Sequence, residues 1–72
     1  MNPNQAILDV LMKHLRDMKA AYYRGTPGVT YDDMVAAAER VLRMRAAYER
    51  ASGRPVRTVV SKAAVANLLR NA

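Results

Sequence analysis

The residues of this sequence best suited to chemistry are its arginines, most of which lie in the second half of the chain. Residues 1–39 carry four basic and five acidic side chains, whereas residues 40–72 carry eight basic side chains and a single acidic one, Glu49. Seven of those eight are arginines, whose planar guanidinium groups pair well with phosphate or carboxylate groups. The second half of the chain therefore predicts a positively charged surface for an anionic partner.

Helical spacing would gather part of this charge on one face. At 100° per residue, four arginines fall within about 80° of one another: Arg40, Arg43, Arg50 and Arg54. Arg57 and Lys62 continue the positive region along the chain. Two interpretations are open, namely a face that is only solvated, or a stripe that binds the phosphates of a nucleic acid or the carboxylates of an acidic protein.

The sequence lacks the side chains of the common catalytic and metal sites. It contains no cysteine and one histidine, His14, and its adjacent carboxylates Asp32 and Asp33 would point about 100° apart on a helix, which does not suit an acid–base pair. We therefore expect no enzymatic activity, no metal and no cofactor. The absence of cysteine is typical of a reducing, cytoplasmic location, and no apolar run approaches the roughly 20 residues of a membrane span, so we expect no membrane contact.

Three helices are predicted to position these residues, in a single all-α domain over residues 1–72. The first is long and covers residues 4–24, after a predicted cap at Asn2 and with Pro3 at the first helical position. Its apolar side chains recur at spacings of three and four: Leu8, Leu11, Leu15, Met18 and Tyr22. This seam is either the face that packs on the other helices of the chain or the contact between two copies, and we predict a homodimer.

The second helix is long and amphipathic, and is predicted from residue 31 to about residue 52. A capping box that begins at Thr30 would start it, and Gly53 would end it. Its apolar face weakens towards the end, where Arg45 and Glu49 project from the same side and are expected to pair.

The third helix is short and is predicted over Lys62–Asn71, with Ser61 or Thr58 as its cap. Four of its side chains are expected to face inward: Ala64, Val65, Leu68 and Leu69.

The third helix also carries a resemblance to a known family. Residues 60–71 read Val-Ser-Lys-Ala-Ala-Val-Ala-Asn-Leu-Leu-Arg-Asn, which resembles the recognition-helix stretch of lactose-repressor-type helix-turn-helix proteins, V-S-x-A-T-V-S-R-x-L-N. In that family the cap serine and the side chains of the first turn face the major groove of DNA. The resemblance implies that five residues approach the DNA or lie close to it: Ser61, Lys62, Ala63, Asn67 and Arg70.

Aromatic residues offer one more candidate contact. Tyr22 and Tyr23, beside Arg24, lie in the last turn of the first helix. They either pack over the end of that helix or stack on the bases of a nucleic acid, as aromatic side chains do in single-strand binders.

We therefore predict a small, basic, dimeric regulator of transcription that binds nucleic acid. The alternative is a protein-interaction module or inhibitor of the kind that phages and mobile elements encode, similar to anti-CRISPR proteins, which would dock its arginine face on an acidic partner. For either partner the predicted binding residues are Arg40, Arg43, Arg50, Arg54, Arg57, Ser61, Lys62, Asn67 and Arg70.

Overall fold

The chain folds into three α helices, α1 (Pro3–Tyr23), α2 (Tyr31–Ala51) and α3 (Lys62–Asn71). This computed structural model describes residues 3–72, and no strand is formed within that range. The predicted all-α fold of two long helices and one short helix is confirmed, and each boundary lies within one residue of its expected position. The predicted cap of α1, Asn2, lies outside the described residues.

Glycine and a capping box shape the passage from α1 to α2. Gly25 and Gly28 have φ values of 78° and 85°, in the left-handed region that favours glycine. The backbone N–H of Asp33 donates to Thr30 Oγ1 at 3.1 Å, and the N–H of Thr30 donates to the Asp33 carboxylate at 3.0 Å, which completes the predicted capping box. The bond from the Thr30 backbone holds the pKa of the Asp33 carboxyl below its usual value.

The hydrophobic core lies mainly between α1 and α2, and α3 packs on α2. Leu15 of α1 and Met34 and Val41 of α2 are the largest side chains that are fully buried. The central position of α2 explains why its apolar face is broad, since that face serves two neighbouring helices.

The apolar seam of α1 packs inside the chain. Leu15 is buried in the core, Leu11, Met18 and Tyr22 lie against it, and Leu8 is half-buried. Of the two interpretations of this seam, the contact within one chain is the one that the structure supports.

Two buried side chains, Val65 and Leu69, anchor α3 on the core. The helix is capped by Ser61 rather than by Thr58, because the backbone N–H of Ala64 donates to Ser61 Oγ at 3.1 Å. Ala64 and Leu68 also pack against the core, so the predicted inward face of α3 is confirmed. The opposite face of α3 is left in solvent.

The connection between α2 and α3, residues 52–61, is held on α2 by Glu49. Its carboxylate accepts hydrogen bonds from the backbone N–H groups of Arg57 at 3.2 Å and Thr58 at 3.0 Å. The expected pair of Glu49 with Arg45 is not formed in the described part of the chain, because this carboxylate faces the connection. The guanidinium of Arg45 lies against α1 instead.

Candidate nucleic-acid interface

All nine predicted binding residues are exposed to solvent, and they lie on α2, on the connection and on α3. They are Arg40, Arg43, Arg50, Arg54, Arg57, Ser61, Lys62, Asn67 and Arg70. None of them contributes to the buried core. Their side chains are therefore accessible to a ligand.

Few of these positive charges are neutralised within the chain. Arg43 donates to the Glu39 carboxylate at 3.1 Å, and this is the one ion pair that the second half makes within residues 3–72. The pair is exposed and contributes at most ~1 kcal/mol, so a phosphate can compete for Arg43. Five other cations make no ion pair with a carboxylate of the described residues: Arg40, Arg50, Arg54, Lys62 and Arg70.

Two grooves flank α3. The first groove lies between α3 and the first half of α2, and has a volume of about 460 Å³. Three of the predicted residues line it: Arg43, Ser61 and Lys62. Asp32 and Glu39 line the same groove, so its charge is mixed.

The second groove lies on the other side of α3, next to α1, and has a volume of about 540 Å³. Arg57 and Asn67 line it, together with Arg45 and Asn71. No carboxylate is among the described residues that line this groove. Two guanidinium groups and two amides without a competing carboxylate suit a ligand that carries negative charge and accepts hydrogen bonds.

Arg45 is the candidate that the sequence analysis missed. The sequence pattern places it on the apolar face of α2 with Glu49 as its partner, but Glu49 bonds to the connection. Arg45 Nη2 instead lies 3.8 Å from the sulfur of Met12, and its side chain borders the second groove. The sequence feature that could have indicated this role is the position of an arginine late in the apolar face of α2, where α1 leaves one edge of that face uncovered.

The nine predicted residues do not form one continuous surface. Arg40 and Arg50 project from the face of α2 opposite its buried residues, and Arg54 follows the end of that helix. Arg70 lies towards the end of α3, near Lys19 of α1. The outer stripe of α2 is thus separate from the two grooves that flank α3.

Glu49 shapes the second groove by fixing the backbone that carries Arg57. A hydrogen bond from the Thr58 side chain lowers the pKa of Glu49, and the backbone N–H groups of Arg57 and Thr58 and the charge of Arg57 act in the same direction. The carboxylate is therefore ionised and bonded at neutral pH, which holds Arg57 beside α3.

The connection before α3 differs from that of helix-turn-helix proteins. In those proteins a turn of three or four residues separates the two helices, whereas residues 52–61 separate α2 from α3. The resemblance is therefore confined to α3, whose exposed residues include Ala63, Ala66, Asn67 and Arg70.

Residues 3–72 form neither a cluster of metal-binding side chains nor a helix that could cross a membrane. That range contains no group of three or more His, Cys, Asp or Glu side chains able to hold a metal ion. None of its helices combines the length and the apolar character that crossing a membrane requires. Comparison of the chain with protein-family models, with curated proteins and with solved structures found no match.

Proposed function

We propose that the protein binds double-stranded DNA as a small regulator of transcription, with α3 at the contact and basic side chains on both sides of it. The observation that carries this proposal is the placement of cations on both flanks of an exposed helix. Arg43 and Lys62 line the first groove, and Arg45 and Arg57 line the second. A duplex presents two phosphate chains on either side of a groove, so both pairs of cations would meet phosphate.

The size and side chains of α3 support a contact in the major groove. Its 10 residues span a length of about 15 Å. The width of an α helix fits the major groove of DNA, which is about 12 Å wide. The exposed residues Ala63 and Ala66 are small and permit a close approach. Asn67 has the amide that pairs with adenine. We assign a base contact to Asn67 and phosphate contacts to the flanking cations.

An acidic protein is the competing partner, because carboxylates also favour exposed arginines. Salt dependence separates the two partners. Each phosphate that a cation neutralises releases a condensed counterion, so the logarithm of the affinity for DNA falls with the logarithm of salt concentration at about −0.9 per contact. Four flanking cations would give a slope of roughly −4, and an acidic protein surface would give a shallower one.

Replacement of Arg57 tests the placement of α3. We expect Arg57→Gln to weaken binding to all duplex sequences by a similar factor and to make the salt slope shallower by about one, as measured by fluorescence anisotropy from about 50 to 200 mM salt. Arg40→Gln is the matched control, because it removes the same charge from the outer face of α2 and should leave the slope unchanged. Equal effects of the two variants would contradict the proposed placement. Absence of duplex binding at low salt would contradict DNA as the partner.

A further inference from the structure

Two tyrosine rings are exposed where α1 ends and α2 begins. Tyr23 and Tyr31 are 72% and 54% accessible, whereas Tyr22 packs against the core. The ring centroid of Tyr22 lies 5.2 Å from that of Tyr23 and 5.9 Å from that of Tyr31, with interplanar angles of 75° and 63°. Tyr22 therefore takes the packing role expected of a tyrosine at a helix end, and its edge-to-face contacts support both exposed rings.

The two exposed rings line one groove, which we call the tyrosine groove and which has a volume of about 430 Å³. Its lining residues are Lys19, Tyr23, Tyr31, Met34, Ala66, Leu69 and Arg70. No aspartate or glutamate is among the described residues that line it. Lys19 Nζ donates to the main-chain oxygen of Ala72 at 3.1 Å, so this ammonium group lies at the end of α3. The guanidinium of Arg70 makes no ion pair within residues 3–72.

Two aromatic rings beside two cations match the chemistry of a nucleotide. A base stacks on an aromatic face, and its phosphate is neutralised by lysine or arginine. An acidic peptide would gain from the cations but not from the rings, because the face of an aromatic ring is electron-rich and does not attract carboxylate. A base inside a duplex is already stacked on its neighbours, so only an unpaired base is free to stack on tyrosine.

We infer that the tyrosine groove binds an unpaired base and its phosphate from a single-stranded stretch of nucleic acid. This inference rests on the proposed function and extends it, because Ala66 and Arg70 belong both to α3 and to this groove. A ligand with a duplex next to a single strand would contact α3 through the duplex and the tyrosine groove through its unpaired bases.

Tyrosine emission and two variants test this inference. The chain has four tyrosines and no tryptophan, so its intrinsic fluorescence comes from tyrosine. We expect short single-stranded oligothymidine to quench the emission of the natural protein. The variant Tyr23→Leu should bind oligothymidine about tenfold more weakly, because it loses an exposed ring of the stacking surface. Its affinity for duplex DNA should not change, because Tyr23 lines neither of the two grooves that flank α3.

Tyr48→Leu is the matched control, since Tyr48 lies on α2 outside the tyrosine groove and should affect neither ligand. Unchanged affinity of Tyr23→Leu for oligothymidine, or an equal loss for duplex, would overturn the inference. So would absence of quenching in the natural protein, whatever the stability of the variants. If duplex binds and oligothymidine does not, the inference fails and the proposed function stands. If neither nucleic acid binds, or if the protein binds only polyglutamate as a substitute for an acidic protein surface, both the inference and the proposed function fail.

Discussion

At the scale of single residues, Glu49 joins the last turns of α2 to the connection that carries Arg57. Its carboxylate bonds to the backbone of residues eight and nine positions further along the chain. Because the bonds go to backbone N–H groups, the connection would keep its path if the side chain of Arg57 were replaced. The charge of Arg57 can therefore be removed without removing the contact that positions it.

Acidic pH should weaken this contact. The pKa of Glu49 is lowered in the folded chain, so its contribution to stability is complete above the ordinary value of 4.5 and is lost as the pH falls through the lower, folded-state pKa. We expect Glu49→Gln to be less stable than the natural protein at neutral pH, and the difference to shrink below pH 4.5. Urea unfolding at both pH values measures this. Glu39→Gln, in the same helix and on an exposed pair, serves as the control. A difference that does not depend on pH would show that the charge of Glu49 is irrelevant.

At the scale of elements, α1 carries buried and exposed apolar side chains on one helix. Leu15 is fully buried between α1 and α2, whereas Val10 is 67% accessible. We expect Leu15→Ala to lower the free energy of unfolding by about 2–5 kcal/mol, because it removes buried methyl groups and leaves a cavity. Val10→Ala should change it by no more than ~0.5 kcal/mol. Chemical denaturation measures both, and similar losses in the two variants would contradict the burial of α1 on α2.

The helices were predictable because their signals are local. Thr30 and Ser61 cap helices through hydrogen bonds to residues three positions away, and Gly53 adopts the φ of 71° that ends a helix. The candidate site depends instead on contacts between distant residues. The exposure of Arg45 follows from the way α1 lies on α2, and the use of Glu49 follows from the path of the connection. Neither can be read from helical periodicity, which assigns a face but not the surface that covers it.

At the scale of the whole molecule, the question is which surface would be left for a second copy. The apolar seam of α1 packs within the chain, and the exposed large apolar side chains of α1 include Ile7 and Val10, 46% and 67% accessible. The predicted homodimer would therefore use this exposed side of α1, and we expect light scattering at micromolar concentration to report twice the 8.0 kDa of one chain. A mass of one chain would contradict this expectation, and the variant Val10→Arg tests whether the exposed side of α1 forms the contact.

The short length of α3 has a consequence for the energetics of binding. An isolated helix of 10 residues is below the roughly 12–15 residues at which helices become marginally stable in water, so α3 persists only while Val65 and Leu69 remain seated on α2. We expect such a segment to open and close as a unit at a lower free energy than the rest of the chain. A partner that binds only when α3 is seated on α2 shifts this equilibrium towards the seated form by mass action. The measured affinity of that partner then includes the free energy needed to seat α3. The apolar side chains under α3 would then tune affinity without touching the ligand.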